Sequence, residues 1–187
     1  MNVTTQIVSE TRSAVEPNVV PVAESPVSDA GVQTLNVIHE RLLIDEEWTD
    51  RRERGFTWWA HCLAHHIDAG QPIDDFGIVV TRITSRIPIL RGVKVASDLV
   101  EKVLAQWTFI NDGYCYVYDP GTRSVDSVQS GIVHEQTLDW RAEMLAANFI
   151  IQLVHAEEDA PVLRGLLDGR LATSTHRTGG RRNEPDD

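Results

Sequence analysis

The residues best suited to chemistry lie in one short run, His61-Cys62-Leu63-Ala64-His65-His66. In a helix, His61 and His65 stand one turn apart and face the same way, which is how a histidine pair holds zinc. A zinc site needs three or four ligands and groups that orient them, and Asp74 and Asp75 in the following loop are the candidates to complete it. The competing reading is an exposed polar helix face, because His61, His65 and Asp68 fall opposite the apolar stripe of that helix. His134-Glu135 opens like a zincin motif, but Leu138 stands where the second histidine belongs. Cys115 as a nucleophile would need a base beside it, and between Tyr114 and Tyr116 in a strand it reads as a small buried hydrophobe. No glycine-rich phosphate loop follows a strand, and neither a nucleophile elbow nor a close carboxylate pair on an apolar background is present. The sequence therefore assigns no catalytic residue and no cofactor. A metal-dependent or unfamiliar enzyme built on His61 and His65 stands as the alternative to a binding protein.

The elements that must position these residues start near Asp45. Asp45, Glu46 and Glu47 put negative charge where a helix N-terminus would be, and Glu47 with Arg51 and Asp50 with Arg54 are acid-first i,i+4 pairs. Phe56, Trp59, Leu63 and Ile67 follow at spacings of three and four, so the pattern predicts one amphipathic helix ending before Gly70. On that helix Trp58 points away from Trp59 and becomes a candidate contact with another chain, tryptophan being enriched at tight interfaces.

Phe76 to Ile83 and Arg86 to Val93 read as two strands, the second at an edge or starting late because Pro88 has no N–H to donate. From Lys94 the period becomes helical, with Ala96, Leu99, Val100, Val103, Leu104 and Trp107 on one face. Tyr114 to Tyr118 and Val125 to Val133 form a hairpin around the turn Asp119-Pro120-Gly121. Tyr114, Tyr116 and Tyr118 share one face of it, which either binds a partner or is covered by a helix. Trp140, Met144, Ala147, Ile151 and Val154 recur at 4,3,4,3, and Leu145, Phe149, Ile150 and Leu153 widen that stripe, so this helix is expected to be buried on more than one side. A last short helix runs from Val162 to Leu167.

The chain of 187 residues carries a formal charge of −11. Residues 39–172 hold −8 of it, residues 1–38 hold −3, and residues 173–187 are neutral. An acidic surface repels phosphate backbones, which argues against nucleic acid as a partner. Residues 1–36, with Pro17, Pro21 and Pro26, and residues 173–187 offer too little apolar burial to offset the cost of ordering them, and read as disordered leader and tail around a single domain at 37–172. No segment reads as a signal peptide or a membrane span, and Cys62 and Cys115 lack disulfide spacing, so a cytoplasmic protein with reduced, partly buried thiols and no membrane partner is expected.

The succession of helix, strands, helix, hairpin and long helix resembles the fold of type III secretion chaperones and the YbjN-like bacterial proteins. It is carried by Phe56, Trp59 and Leu63, by Asp75-Phe76-Gly77, by Leu99, Val103 and Trp107, by Asp119-Pro120-Gly121, and by Trp140 to Val154. The resemblance implies a small acidic homodimer that binds other polypeptides without catalysis. The expectation is thus an α+β domain, a small antiparallel sheet flanked by helices, acting as an adaptor or chaperone-like module for a protein client. Trp58, Tyr114, Tyr116 and Tyr118 are its candidate contacts. A self-associating structural subunit without a client is the remaining alternative.

Overall fold

The computed structural model describes residues 29–60, 62–108 and 113–173. Its elements are α1 (Ala30–Arg41), β1 (Thr49–Arg52), β2 (Gly55–Ala60), β3 (Leu63–Ala69), β4 (Ile73–Asp75), β5 (Ile78–Arg91), α2 (Ser97–Thr108), β6 (Cys115–Asp119), β7 (Ser124–Val133), α3 (Leu138–Leu167) and β8 (Arg170–Leu171). All strand pairs are antiparallel, in the order β1-β2-β3-β5-β7-β6, and β4 and β8 pair with opposite ends of β5. This is the expected α+β architecture, with the sheet larger and the helices arranged differently from the sequence reading.

The segment expected to be one helix, from Asp45 to Ile67, is a three-residue 3-10 turn at Glu46–Trp48 followed by the meander β1-β2-β3. Phe56 and Trp58, then Leu63, His65, Ile67 and Ala69, also recur every second residue, and that period puts them all on one sheet face. Spacings of three and four fit Phe56, Trp59, Leu63 and Ile67 by coincidence. The anticipated i,i+4 pairs are replaced by longer-range ones. Arg51 binds Glu46 and His39, and Arg54 binds Asp29.

The first helix lies earlier, starting at Ala30 inside the segment read as leader. Asp29 caps it by accepting from the N–H groups of Gly31 at 2.9 Å and Val32 at 3.2 Å. Thr34, Leu35 and Ile38 form its buried stripe, and Gly31 lets it approach the sheet, since a Cβ there would meet Thr81 Cγ2 at 2.5 Å. The rest of the leader, and all of the tail beyond Thr173, lie outside the described residues.

The two strands expected around residue 85 are one 14-residue strand, β5. Pro88 is accommodated because the β3 ladder ends at Arg86 and the β8 ladder begins at Leu90, so its missing N–H falls in the gap, with a register shift between Pro88 and Leu90 on the β7 side. The hairpin β6-β7 turns at Asp119, whose carboxylate accepts from Gly121 N at 2.8 Å.

All three helices pack on one side of the sheet. α3 runs unbroken for 30 residues through Pro161, absorbing the expected separate last helix. It seats Leu145, Phe149, Leu153, Ala156, Leu163 and Leu167 on β5 and β7, and Gly131 on β7 admits it, since a Cβ there would meet Leu145 Cδ2 at 2.6 Å. One apolar cluster gathers Val100 and Leu104 of α2 with Tyr114, Tyr116, Ile87 and Leu163, and a second joins α1 to Phe56, Ile67, Ile83 and Phe149. Trp58 packs against both.

Candidate functional site

His65, the key member of the expected metal pair, is fully buried on β3. Its ring stacks on Trp58 with centroids 5.9 Å apart and meets the edge of Phe149 at 6.0 Å. Nε2 lies 2.5 Å from Ser85 Oγ, Ser85 donates to Gln152 Oε1 at 2.5 Å, and Gln152 Nε2 donates to Ser127 Oγ at 3.1 Å. This polar chain crosses β3, β5, α3 and β7 between the two apolar clusters. Burial holds the imidazole pKa down at about 3, so the ring is neutral and serves as a donor inside the core. His61 lies outside the described residues. Among the described residues no group of three or more His, Cys, Asp and Glu side chains converges as a metal site, and Asp74 and Asp75 sit on the exposed strand β4. A serine beside a histidine suggests nucleophilic chemistry, but both Ser85 and His65 are sealed from solvent and Ser85 spends its proton on Gln152.

The aromatic candidates also turn inward. Tyr114 and Tyr116 are buried, Tyr114 hydroxyl 2.9 Å from His155 Nδ1 and Tyr116 donating to Asp159 Oδ2 at 2.5 Å. Of the two readings of the tyrosine face, the structure has the one in which a helix covers it; Tyr118 at its end is half-buried. Desolvation raises the Asp159 carboxyl pKa, against the opposing pull of the Tyr116 hydroxyl. Trp58, expected to point outward, is the residue that closes over His65, because alternation in β2 sends Phe56 and Trp58 to the core and Thr57 and Trp59 to the other face. The thiols differ too, Cys62 being exposed and Cys115 half-buried, both free.

What the sequence reading missed is the other face of the sheet. Among the described residues no helix packs on it, and its side chains come from the alternate positions of five strands: Arg52, Thr57, Trp59, His66, Asp68, Thr84, Arg86 and Asp126. Two adjoining grooves of about 440 Å³ each run along it and share His66, Pro88 and Arg91. Trp59, Ala64, Arg170 and Leu171 wall one of them, and Arg52, Asp68, Arg86 and Asp126 the other.

No family model matches the chain, and no curated protein matches it either. The chemistry of the face therefore has to be taken from its own groups. Arg52 pairs with Asp68 at 3.0 Å, and Asp126 is held between Arg91 at 2.7 Å and Arg86 at 3.8 Å. Arg52, Arg86, Arg91 and Arg170 thus line the grooves against Asp68 and Asp126, a surplus of positive charge in a chain of −11. His66 lies 2.9 Å from Thr57 Oγ1, and burial first, then the Arg52 charge, lowers its pKa, so at neutral pH it adds no charge. Guanidinium groups with spare donors beside a tryptophan and a proline suit a polypeptide carrying carboxylates and an apolar anchor.

A second surface is equally exposed. On α3 the 4,3,4,3 row of Trp140, Ala147, Ile151 and Val154 faces solvent, with Met144 half-buried. The sheet takes the neighbouring row instead, so the helix is buried on one side where two were expected. Among the described residues no helix is long and apolar enough to cross a membrane.

Proposed function

We propose that the protein is a non-catalytic adaptor that holds an extended, carboxylate-bearing segment of a client polypeptide across the uncovered sheet face. The observation that carries this reading is the pair of joined grooves lined by Arg52, Arg86, Arg91 and Arg170 around Trp59 and Pro88. The binding mode is groove docking, with guanidinium–carboxylate pairs fixing register and the tryptophan supplying apolar contact. Arg86→Glu is the cleanest test. The Arg86 side chain is more than half exposed and its ion pair with Asp126 is long, while Arg91 keeps Asp126 satisfied. Stability should therefore change by no more than about 0.5 kcal/mol. Affinity for the client should fall at least about tenfold, the scale of one repelled charge at a desolvated contact. Unchanged capture by a well-folded Arg86→Glu protein would move the binding site elsewhere.

A second reading, a self-associating subunit, is supported by the exposed row on α3. Spacings of four and three are those of a helix–helix seam, and Ile151 and Val154 are the exposed β-branched pair at its C-terminal end. On this reading the wild-type protein runs as a dimer in light scattering and Ile151→Glu runs as a monomer with its secondary structure intact. A wild-type monomer at high micromolar concentration contradicts it. The two readings are compatible, since α3 and the grooves lie on opposite sides of the sheet.

A further inference from the structure

The outward side of α3 is an apolar strip with a charge near each end. Trp140, Ile150, Ile151, Val154 and Val162 lie along it, each between 43% and 53% exposed, over about 33 Å of helix. They point away from the row that α3 seats on the sheet. The guanidinium of Arg141 is held over the Trp140 ring, 4.7 Å from its centroid, which sets a positive charge on the strip itself. Glu158 comes 18 residues after Trp140, about five whole turns, so it stands exposed on the same line of the helix. Among the described residues neither Arg141 nor Glu158 makes an ion pair. Their acidic neighbours are engaged, Glu143 by Arg41 and Asp159 by the Tyr116 hydroxyl.

We infer that this strip receives the same strip of a second copy of the chain, the two α3 helices lying antiparallel across a two-fold axis between Phe149 and Ile150. This arrangement rests on the self-association reading and fixes its geometry. Arg141 and Glu158 stand equally far from that axis, so an antiparallel pair brings Arg141 of each chain to Glu158 of the other. Both charges are then neutralised at both ends of the seam, and Ala147 leaves room for the partner's Val154. In a parallel pair Glu158 would meet Glu158 and Arg141 would meet Arg141, like charges in an apolar seam where water screens them poorly. A different partner would have to supply an acid and a cation at this same separation, and a reversed copy of α3 already carries both. The client grooves lie on the other side of the sheet, so each copy presents them outward and the pair keeps both sites open.

The test is sedimentation equilibrium of the full chain across the micromolar range. Arg141→Glu and Glu158→Arg each turn two attractive contacts per dimer into two repulsive ones, and each should raise the dimer Kd at least about tenfold. Both side chains lie at the surface, so circular dichroism and melting temperature stay those of wild type. The double variant Arg141→Glu/Glu158→Arg exchanges the charges and should return Kd to within about threefold of wild type. A parallel dimer has no contact between Arg141 and Glu158. A dimer that Ile151→Glu breaks but neither charge substitution weakens therefore overturns the antiparallel arrangement and leaves self-association through α3 in place. Weakening by both single variants without recovery in the double one overturns it as well. A wild-type monomer throughout the range, or a dimer that Ile151→Glu leaves intact, removes the self-association reading through α3 and this arrangement with it.

Discussion

Phe149→Ala lowers the unfolding free energy by about 3–5 kcal/mol, the range for deleting a large aromatic side chain from a packed core. Phe149 is fully buried, belongs to the cluster of α1, β2, β3 and β5, and sets its ring edge against His65. Its loss removes apolar contacts and also takes away one wall of the enclosure that keeps the His65-Ser85-Gln152-Ser127 chain dry. Water reaching that chain competes for its hydrogen bonds, so little of the cavity cost is recovered by collapse. Urea unfolding read by circular dichroism gives the change directly. A loss under about 1.5 kcal/mol would mean that the polar chain and Phe149 do not share one packed core.

Acid destabilises the wild-type domain well before its carboxylates titrate. Burial depresses the His65 pKa to about 3 in the fold, whereas in the unfolded chain it titrates near 6.5. Above pH 6.5 both states are neutral at this site and stability is insensitive to pH. Below it the unfolded chain takes up a proton that the native state refuses. Stability then falls by about 1.4 kcal/mol per pH unit until pH approaches 3, or roughly 3 kcal/mol between pH 6.5 and 4.5. His39 and His66 are depressed in the same direction, each chiefly by burial, and add to the slope. Asp159, whose carboxyl is raised, works the other way at the acid end, because its native form holds a proton more readily. His65→Gln, which keeps a donor for Ser85, should be less stable at pH 7.5 and lose less on going to pH 5. Equal losses in wild type and variant would show that His65 is protonated in the native state.

The parts of the fold legible in the sequence are those where one periodicity was unambiguous. The hairpin around Asp119-Pro120-Gly121 and the long apolar helix of Phe149 and Leu153 are such cases, and the structure contains both. The meander of β1 to β3 was misread because Phe56, Leu63 and Ile67 satisfy helical and alternating patterns alike, and Trp59 completed the wrong one. The deciding signal was His65 paired in phase with Ile67 and Ala69, a polar residue in a buried row, which no hydrophobicity pattern selects. Its partners Ser85, Ser127 and Gln152 come from three distant segments, so the network that makes the burial affordable exists only in the folded sheet. On α3 the same difficulty appears in reverse. Two apolar rows run side by side, and the row the sheet takes is the one whose Leu145 fits against Gly131, a match that helical periodicity does not contain.

The uncovered face was invisible for a related reason. Its residues are single polar positions alternating with core residues across five strands, and a linear reading assigns each of them to solvent. Arg52, Arg86 and Arg91 become a constellation only through the register that sets His66 opposite Arg86 and Pro88 opposite Asp126.

Site-directed photocrosslinking in lysate of the native host interrogates this face most directly. Benzoylphenylalanine replaces Ser130, exposed on the face beside Thr84, and in a control replaces Ala105, exposed on α2. A polypeptide client held in the grooves gives one defined adduct from position 130, absent from position 105 and lost when Arg86→Glu is added. Adducts that are the same from both positions, or that persist undiminished with Arg86→Glu, would contradict the sheet face as the binding site.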